Sequence, residues 1–444
     1  MKTRKNKLKR IIAMLAAVVL LLLALAYGYL SLRRYTSYRH RIHSDAAFII
    51  KVDVDRIYRT LAADYLLNSS HYKKSKRNSL KTGLDIPANV FIYTVHSRSA
   101  QTYFCSLPVS DTAELRVFIN KKLGITRFKN TGKYILGSSA NGGLTVAFNE
   151  QTFAVAYSLK KENVQEILEQ LMNRENFLPD TDPGIKKLKA LSAHLAYVFE
   201  EYTGTGQFKA GHFHMQGDFN FKGLRVQGKV FNHRVFDKDA ILKLWLDAKS
   251  ITTHRLAPLQ LKTHTIYPDS LLKYCNGYFD VELSKPVNQA DTLITYEYND
   301  DFEKVAVTTP RMVRVPGINS MLSARPTALV NQLVAQGILK GGKVNPHLFP
   351  LYSVYTKYRP SALLFSTNEH AAFSGLKTQT PYFFYLETDF RKLSEQEQFP
   401  LLETYIKTLR KLEVSALNVK PGLQHFEMDL YFRLKQVNAL AQLF

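Results

Sequence analysis

The chain has 444 residues, 45% hydrophobic and 12% aromatic, with 60 Lys/Arg against 37 Asp/Glu and a formal net charge of +23. That apolar content excludes a disordered stalk, and two cysteines exclude a disulfide framework. Residues 1–42 hold 10 Lys/Arg and no acid, so the rest carries +13, basic enough to be drawn to an anionic surface and long enough for two domains.

Lys2, Arg4, Lys5, Lys7, Lys9 and Arg10 make residues 1–10 a basic tail. Residues 11–32 then run without a charge, ~33 Å as a helix, which predicts a transmembrane anchor. The competing reading is a signal peptide cleaved after Ala24-Leu25-Ala26. The apolar run continuing past Ala26, with Tyr27 and Tyr29 at the interfacial position, favours retention. Either way the remainder leaves the cytoplasm, because the six cations of the tail outnumber Arg33, Arg34, Arg39 and Arg41 beyond the segment.

"AFIIKVDVDRIYRTLAADYLL" predicts a strand, a cap at Asp53 or Asp55 and a helix with Ile57, Leu61 and Leu66 near one face. The basic loop 73–81, within "HYKKSKRNSLK", reads first as a solvated loop and second as a contact for anionic lipid or an acidic partner. "NVFIYTV" and "QTYFCSLPV" predict strands, and "SDTAELRVFINKKLG" a helix with Asp111 and Glu114 in capping-box spacing and a stop at Gly124. A three-strand meander and an amphipathic helix carrying Val164, Ile167, Leu168 and Leu171 follow.

In "HFHMQGDFNFKGLRVQGKVFNH", Phe213, Met215, Phe219 and Phe221 fall on one face and His212, His214, Gln216, Asp218 and Asn220 on the other. The Lys222-Gly223 turn predicts a hairpin returning through Leu224, Val226 and Val230. A second hairpin is expected at "DTLITYEYNDDFEKVAVTT", then a helix at "PTALVNQLVAQGIL", strands at "SALLFST" and "PYFFYLETD", a helix through "FPLLETYIKTLRKL" and a closing hairpin. The segment 212–222 aligns without gaps to "HFEMDLYFRLK" at 425–435, and "IKKLKAL" (185–191) resembles "IKTLRKL" (406–412). This match predicts a duplication, with a first α+β half over 45–235, a connecting region over 236–289 and a second α+β half over 290–444. The fold class expected is thus α+β, an N-terminal transmembrane helix followed by a duplicated domain of antiparallel sheets packed with helices.

The anchor followed by "DAAFIIKVDVDRIYRTL", the capped helix in "YFCSLPVSDTAELRVFINKKLG" and the paired hairpins resemble a loose class of uncharacterised, membrane-anchored envelope proteins of Gram-negative bacteria. That resemblance implies an inner-membrane, single-pass protein with its C-terminal domain in the periplasm, and it brings no catalytic residue.

Chemical motifs do not withstand inspection. His212 and His214 form a His-x-His pair without a third ligand at convincing local spacing, so no metal site is assigned. Asp180 and Asp182 in "LPDTDPG" lack the further acids of a calcium loop. Asn299, Asp300, Asp301 and Glu303 suit a hairpin tip. "SHYK", "SLLK" and "KTG" occur in an order that no penicillin-binding site uses, and "GILKGGKV" is not a phosphate loop. Catalytic residues therefore stay unknown, no cofactor is called for and no nucleic-acid motif is found. Cys105 and Cys275 read as separate thiols at core positions, a bridge between them being the alternative.

The function expected is a membrane-anchored envelope protein with a periplasmic binding or scaffold domain and an envelope protein as partner. The alternatives are a carrier or binder of a lipid or other apolar ligand, and a hydrolase with an unrecognised site. The aromatic strand residues are expected to fill an ordinary core and to hold no stoichiometric lipid.

Overall fold

The computed structural model describes residues 20, 21, 24, 25, 27–39, 41–72, 81–251, 257–261, 264–298, 302–372 and 375–443. The chain divides into two compact units, Met1–Gln207 and Phe208–Phe444. It is mostly antiparallel sheet, 45% strand and 23% helix.

The first unit is built on an antiparallel sheet whose strands run in the order Phe128–Asn130, Ile135–Ser138, Leu144–Phe148, Thr152–Ser158, Thr102–Pro108, Asn89–Val95, Ala46–Asp53, Leu195–Phe199 and Tyr202–Lys209. Alternation along these strands gives two apolar faces. Ile49, Phe91, Tyr93 and Phe104 pack with Ile167, Leu168 and Leu171 of helix Gln165–Asn173 and with Ile185 and Leu188 of helix Pro183–Ala190. Val146, Phe148 and Phe153 pack with Leu115 and Ile119 of helix Thr112–Leu123. That helix starts and stops where its sequence says: the Asp111 carboxylate accepts from the Glu114 N–H at 2.9 Å, and Gly124 closes it at φ 68°.

Lys51 lies on the first of these faces with no exposed surface. Its Nζ donates to the carbonyls of Leu188 (2.5 Å) and Leu191 (2.6 Å) at the C-terminal end of helix Pro183–Ala190, where backbone acceptors lack helical partners. Burial pushes this ammonium down to about 8. It serves the fold as a cap.

Three expectations are corrected in and around this unit. The transmembrane anchor over 11–32, and with it the signal-anchor reading, is overturned: among the described residues no helix is long and apolar enough to cross a membrane. Residues 11–19, 22, 23 and 26 of that stretch lie outside the described residues. The helical turns over 27–36 lead into the domain, with Arg33 Nε donating to Asp55 Oδ1 at 3.0 Å and its Nη2 to the Ile86 carbonyl at 2.7 Å. Tyr38 and Ile42, which precede the first α+β half expected from residue 45, are core residues at 3% and 1% exposure, Tyr38 lying 5.3 Å from Phe91.

Helix Val54–Asn68 forms on its Asp53 cap, yet it buries no residue and leaves Leu66 81% exposed. Residues 73–80 of the basic loop lie outside the described residues.

The second unit is also an antiparallel sheet, in the order His212–Phe219, Leu423–Phe432, Leu409–Lys420, Tyr382–Asp389, Leu242–Asp247, Cys275–Tyr298, Lys304–Ala324, Ala362–Ser366 and Tyr355–Arg359. The expected duplicated domain is corrected here. Ile185–Leu188 is helical, whereas Leu409–Lys420 is a strand, its charges alternating with Leu412 and Val414 at period two. The two matching strand segments are direct sheet partners, with Met215 opposite Met428. The hairpin expected across Lys222-Gly223 is likewise absent, since Leu224–Arg225 pairs with Lys249–Ser250 instead. Period two fixes which face a residue takes, not which strand it pairs with.

The second expected hairpin is present and longer than its sequence suggested. Cys275–Tyr298 pairs with Lys304–Ala324 down to Tyr298 opposite Lys304, and the first of these strands begins inside the supposed connecting region, which supplies it as far as Gln289. Gln289, opposite Val313 midway along the hairpin, has its amide bonded to Ser353 and Thr367.

Candidate functional site

The strands of the second unit give their sheet two unlike faces. On one, a line of charge crosses four strands. Lys411 Nζ bonds Glu413 at 2.8 Å and Glu387 at 3.0 Å, and Lys243 Nζ reaches the other Glu387 oxygen at 3.1 Å. Burial works against ionised Glu387, but Lys411 and Lys243 outweigh it and hold the carboxyl below its ordinary range. Further along, Arg234 grips Asp280 through two bonds (Nε 3.1 Å, Nη2 3.0 Å) and Glu282 through Nη1 at 2.7 Å. All three side chains are under 9% exposed. Tyr278 Oη donates to Asp280 at 2.8 Å and the Met321 N–H to the same carboxylate at 3.0 Å. Burial would lower the guanidinium, and the two carboxylates more than reverse that. With its acceptors occupied, this cluster is built to hold strands together.

At the far end of the same face stand His212 and His214. Asp429, directly across from His214, places Oδ1 2.7 Å from His212 Nε2 and 2.7 Å from His214 Nδ1. The ring of His212 stacks on Tyr431 at 4.6 Å and 6°, and His214 Nε2 lies 3.4 Å from Gln216 Oε1. This is the third donor that local spacing did not reveal, since it comes from a strand more than 200 residues away. The related strand makes a similar pair, His425 Nδ1 with Asp218 at 2.7 Å.

The opposite face is apolar and falls into three parallel rows. One row, with Leu242, Leu283 and Ile318, packs under Phe390, Leu393, Phe399 and Ile406. Another, with Phe426, Ala416, Phe384 and Leu246, packs under Leu224, Val226 and Phe231. Between them runs Met215, Met428, Val414, Leu386, Leu244 and Val281, each opposite the next on six adjacent strands. Every one of these six is only half-buried. At ~4.8 Å per strand the row is ~24 Å long.

Other residues singled out from the sequence have structural employment. Asp182 caps helix Pro183–Ala190 through Gly184 and Ile185, and Asp180 lies 4.0 Å from Arg39. Gly83 of "KTG" sits at φ 65°, where an added Cβ would meet the Asp111 carbonyl at 2.2 Å, so this triplet is a turn against a helix start. Asn299, Asp300 and Asp301 lie outside the described residues. Cys105 and Cys275 are free thiols, and burial pushes the Cys105 thiol up to about 12, far from a reactive thiolate. In the first unit, a depression of about 750 Å³ is lined by one side of helix Thr112–Leu123 and by Phe128, Ile135 and Phe148, with Arg116 lying over the Phe128 ring at 5.3 Å.

No protein-family model matches the chain, and no curated protein matches its sequence. Among solved structures, crystal forms I, III and IV of TP0453 are 10%, 11% and 11% identical to it. They cover 41%, 42% and 41% of this chain and 77%, 80% and 85% of their own, at TM-scores of 0.27, 0.28 and 0.26. Similarity at that level carries no argument about fold or function.

Proposed function

We propose that the second unit binds an elongated apolar molecule, of the acyl-chain class, along the row from Met215 to Val281. One observation carries this reading: six apolar side chains on six neighbouring strands are only partly buried and belong to neither of the packed clusters that hold the rows on either side of them. A folded sheet normally buries its apolar face throughout, and ligand sites are the concave apolar surfaces left over. Two of the six are methionines, whose unbranched thioethers adapt to ligands of varied shape. The charged opposite face is a different surface of the same strands, so the two do not compete.

The test is displacement of a fluorescent long-chain fatty acid from the purified chain. Leu386→Gln and Val414→Gln should each weaken binding about tenfold or more, because an amide in the row has no partner once the ligand covers it. Their unfolding midpoints should stay close to that of the parent protein. Unchanged affinity in both variants would sink the proposal.

A further inference from the structure

We propose that His212, His214 and Asp429 bind one divalent transition-metal ion, zinc by ligand type, with a fourth position left for water or a ligand. Two imidazoles and a carboxylate are a donor set that zinc favours, and three protein ligands leave the tetrahedron open. The strand supplies the spacing: residues two apart share a face, so His212 and His214 lie side by side, and Asp429 meets them from the facing strand. Their ligand atoms, His212 Nε2, His214 Nδ1 and Asp429 Oδ1, fall within 4.8 Å of one another.

The nitrogen-to-oxygen separations of 2.7 Å are those of hydrogen bonds. A tetrahedral ion with bonds of ~2.0 Å sets its ligands ~3.3 Å apart, so each nitrogen-to-oxygen separation need open by only about half an ångström to admit it. The surroundings favour that exchange. Stacking on Tyr431 fixes the plane of His212, and Gln216 Oε1 stands where it accepts the Nε2–H of His214, leaving Nδ1 with its lone pair for the metal. The three side chains are about one-quarter exposed, enough for an ion to enter and little enough to hold the rings in place.

The cluster lies on the charged face, so its fate is independent of the apolar row. The experiment uses the full chain, stripped with chelator and dialysed, then titrated with zinc chloride by calorimetry and with cobalt chloride by visible absorption. One equivalent should bind, and cobalt should give the intense bands of a four-coordinate site. His214→Ala and Asp429→Asn should each weaken zinc binding more than ~100-fold, beyond the cost of losing an outer-sphere partner. His425→Ala, which removes the comparable pair on the related strand, should bind as the parent does, and its circular dichroism and that of the two site variants should match the parent. Absence of binding, or an equivalent of zinc retained by both site variants, would show that the three side chains form a hydrogen-bonded cluster only.

Discussion

Replacing Arg234 with methionine should lower the free energy of unfolding by about 3–5 kcal/mol, a large part of any domain's stability. The guanidinium is the cation for two carboxylates that have almost no contact with water, Asp280 at 0% and Glu282 at 4% side-chain exposure. Without it, two negative charges two residues apart on one strand remain buried and uncompensated. Methionine keeps much of the volume, so the loss reports electrostatics rather than a cavity. An exposed pair supplies the contrast: Arg311 and Asp291 are 54% and 45% exposed, and Arg311→Met should cost no more than about 1 kcal/mol. Chemical denaturation of the three proteins side by side measures both. A loss below about 1 kcal/mol for Arg234→Met would mean that the cluster is hydrated and does not lock the strands.

Phe432→Ala should cost about 3–5 kcal/mol, while Met428→Ala, four residues earlier on the same strand, should cost about 1 kcal/mol. Phe432 has no exposed surface, so truncation leaves a cavity that its neighbours fill only in part. Met428 sits in the partly buried row, where removing its side chain exposes surface already in reach of water and leaves no closed cavity. Its effect should appear in affinity for an apolar ligand instead. This splits the set of strand residues that sequence periodicity grouped as one core. Phe213 is 8% exposed and Phe432 0%, whereas Phe221 and Leu434 are 57% and 45% exposed. Equal losses at Phe432 and Met428, read from urea unfolding, would return the row to an ordinary core.

What the sequence made legible was local. Helix Thr112–Leu123 was readable because its cap at Asp111 and its stop at Gly124 are chemical signals inside the segment. The facing of Met215 and His214 was readable because period two is local as well. What escaped depended on partners far along the chain. Nothing in 212–219 names 423–432 as its neighbour, so Asp429 could not be placed beside the histidines, although its alternation with Met428 and Leu430 set it on the polar face. Residues 409–412 read as helix in the sequence because Leu, Arg and Lys are good helix formers, and sheet pairing on both sides overrides that preference. Tyr38 and Ile42 carry no local core signal because their neighbours are polar and basic, while their burial is supplied by Phe91 and the rest of its cluster.

Native mass spectrometry of the purified full-length chain, after incubation with a long-chain fatty acid and removal of the excess, tests the apolar row most directly. The account predicts one acyl chain per protein, and its loss in a Leu386→Gln, Val414→Gln double variant whose unfolding midpoint is kept. Bare protein at every fatty-acid concentration, or an acyl adduct undiminished in the double variant, would contradict it.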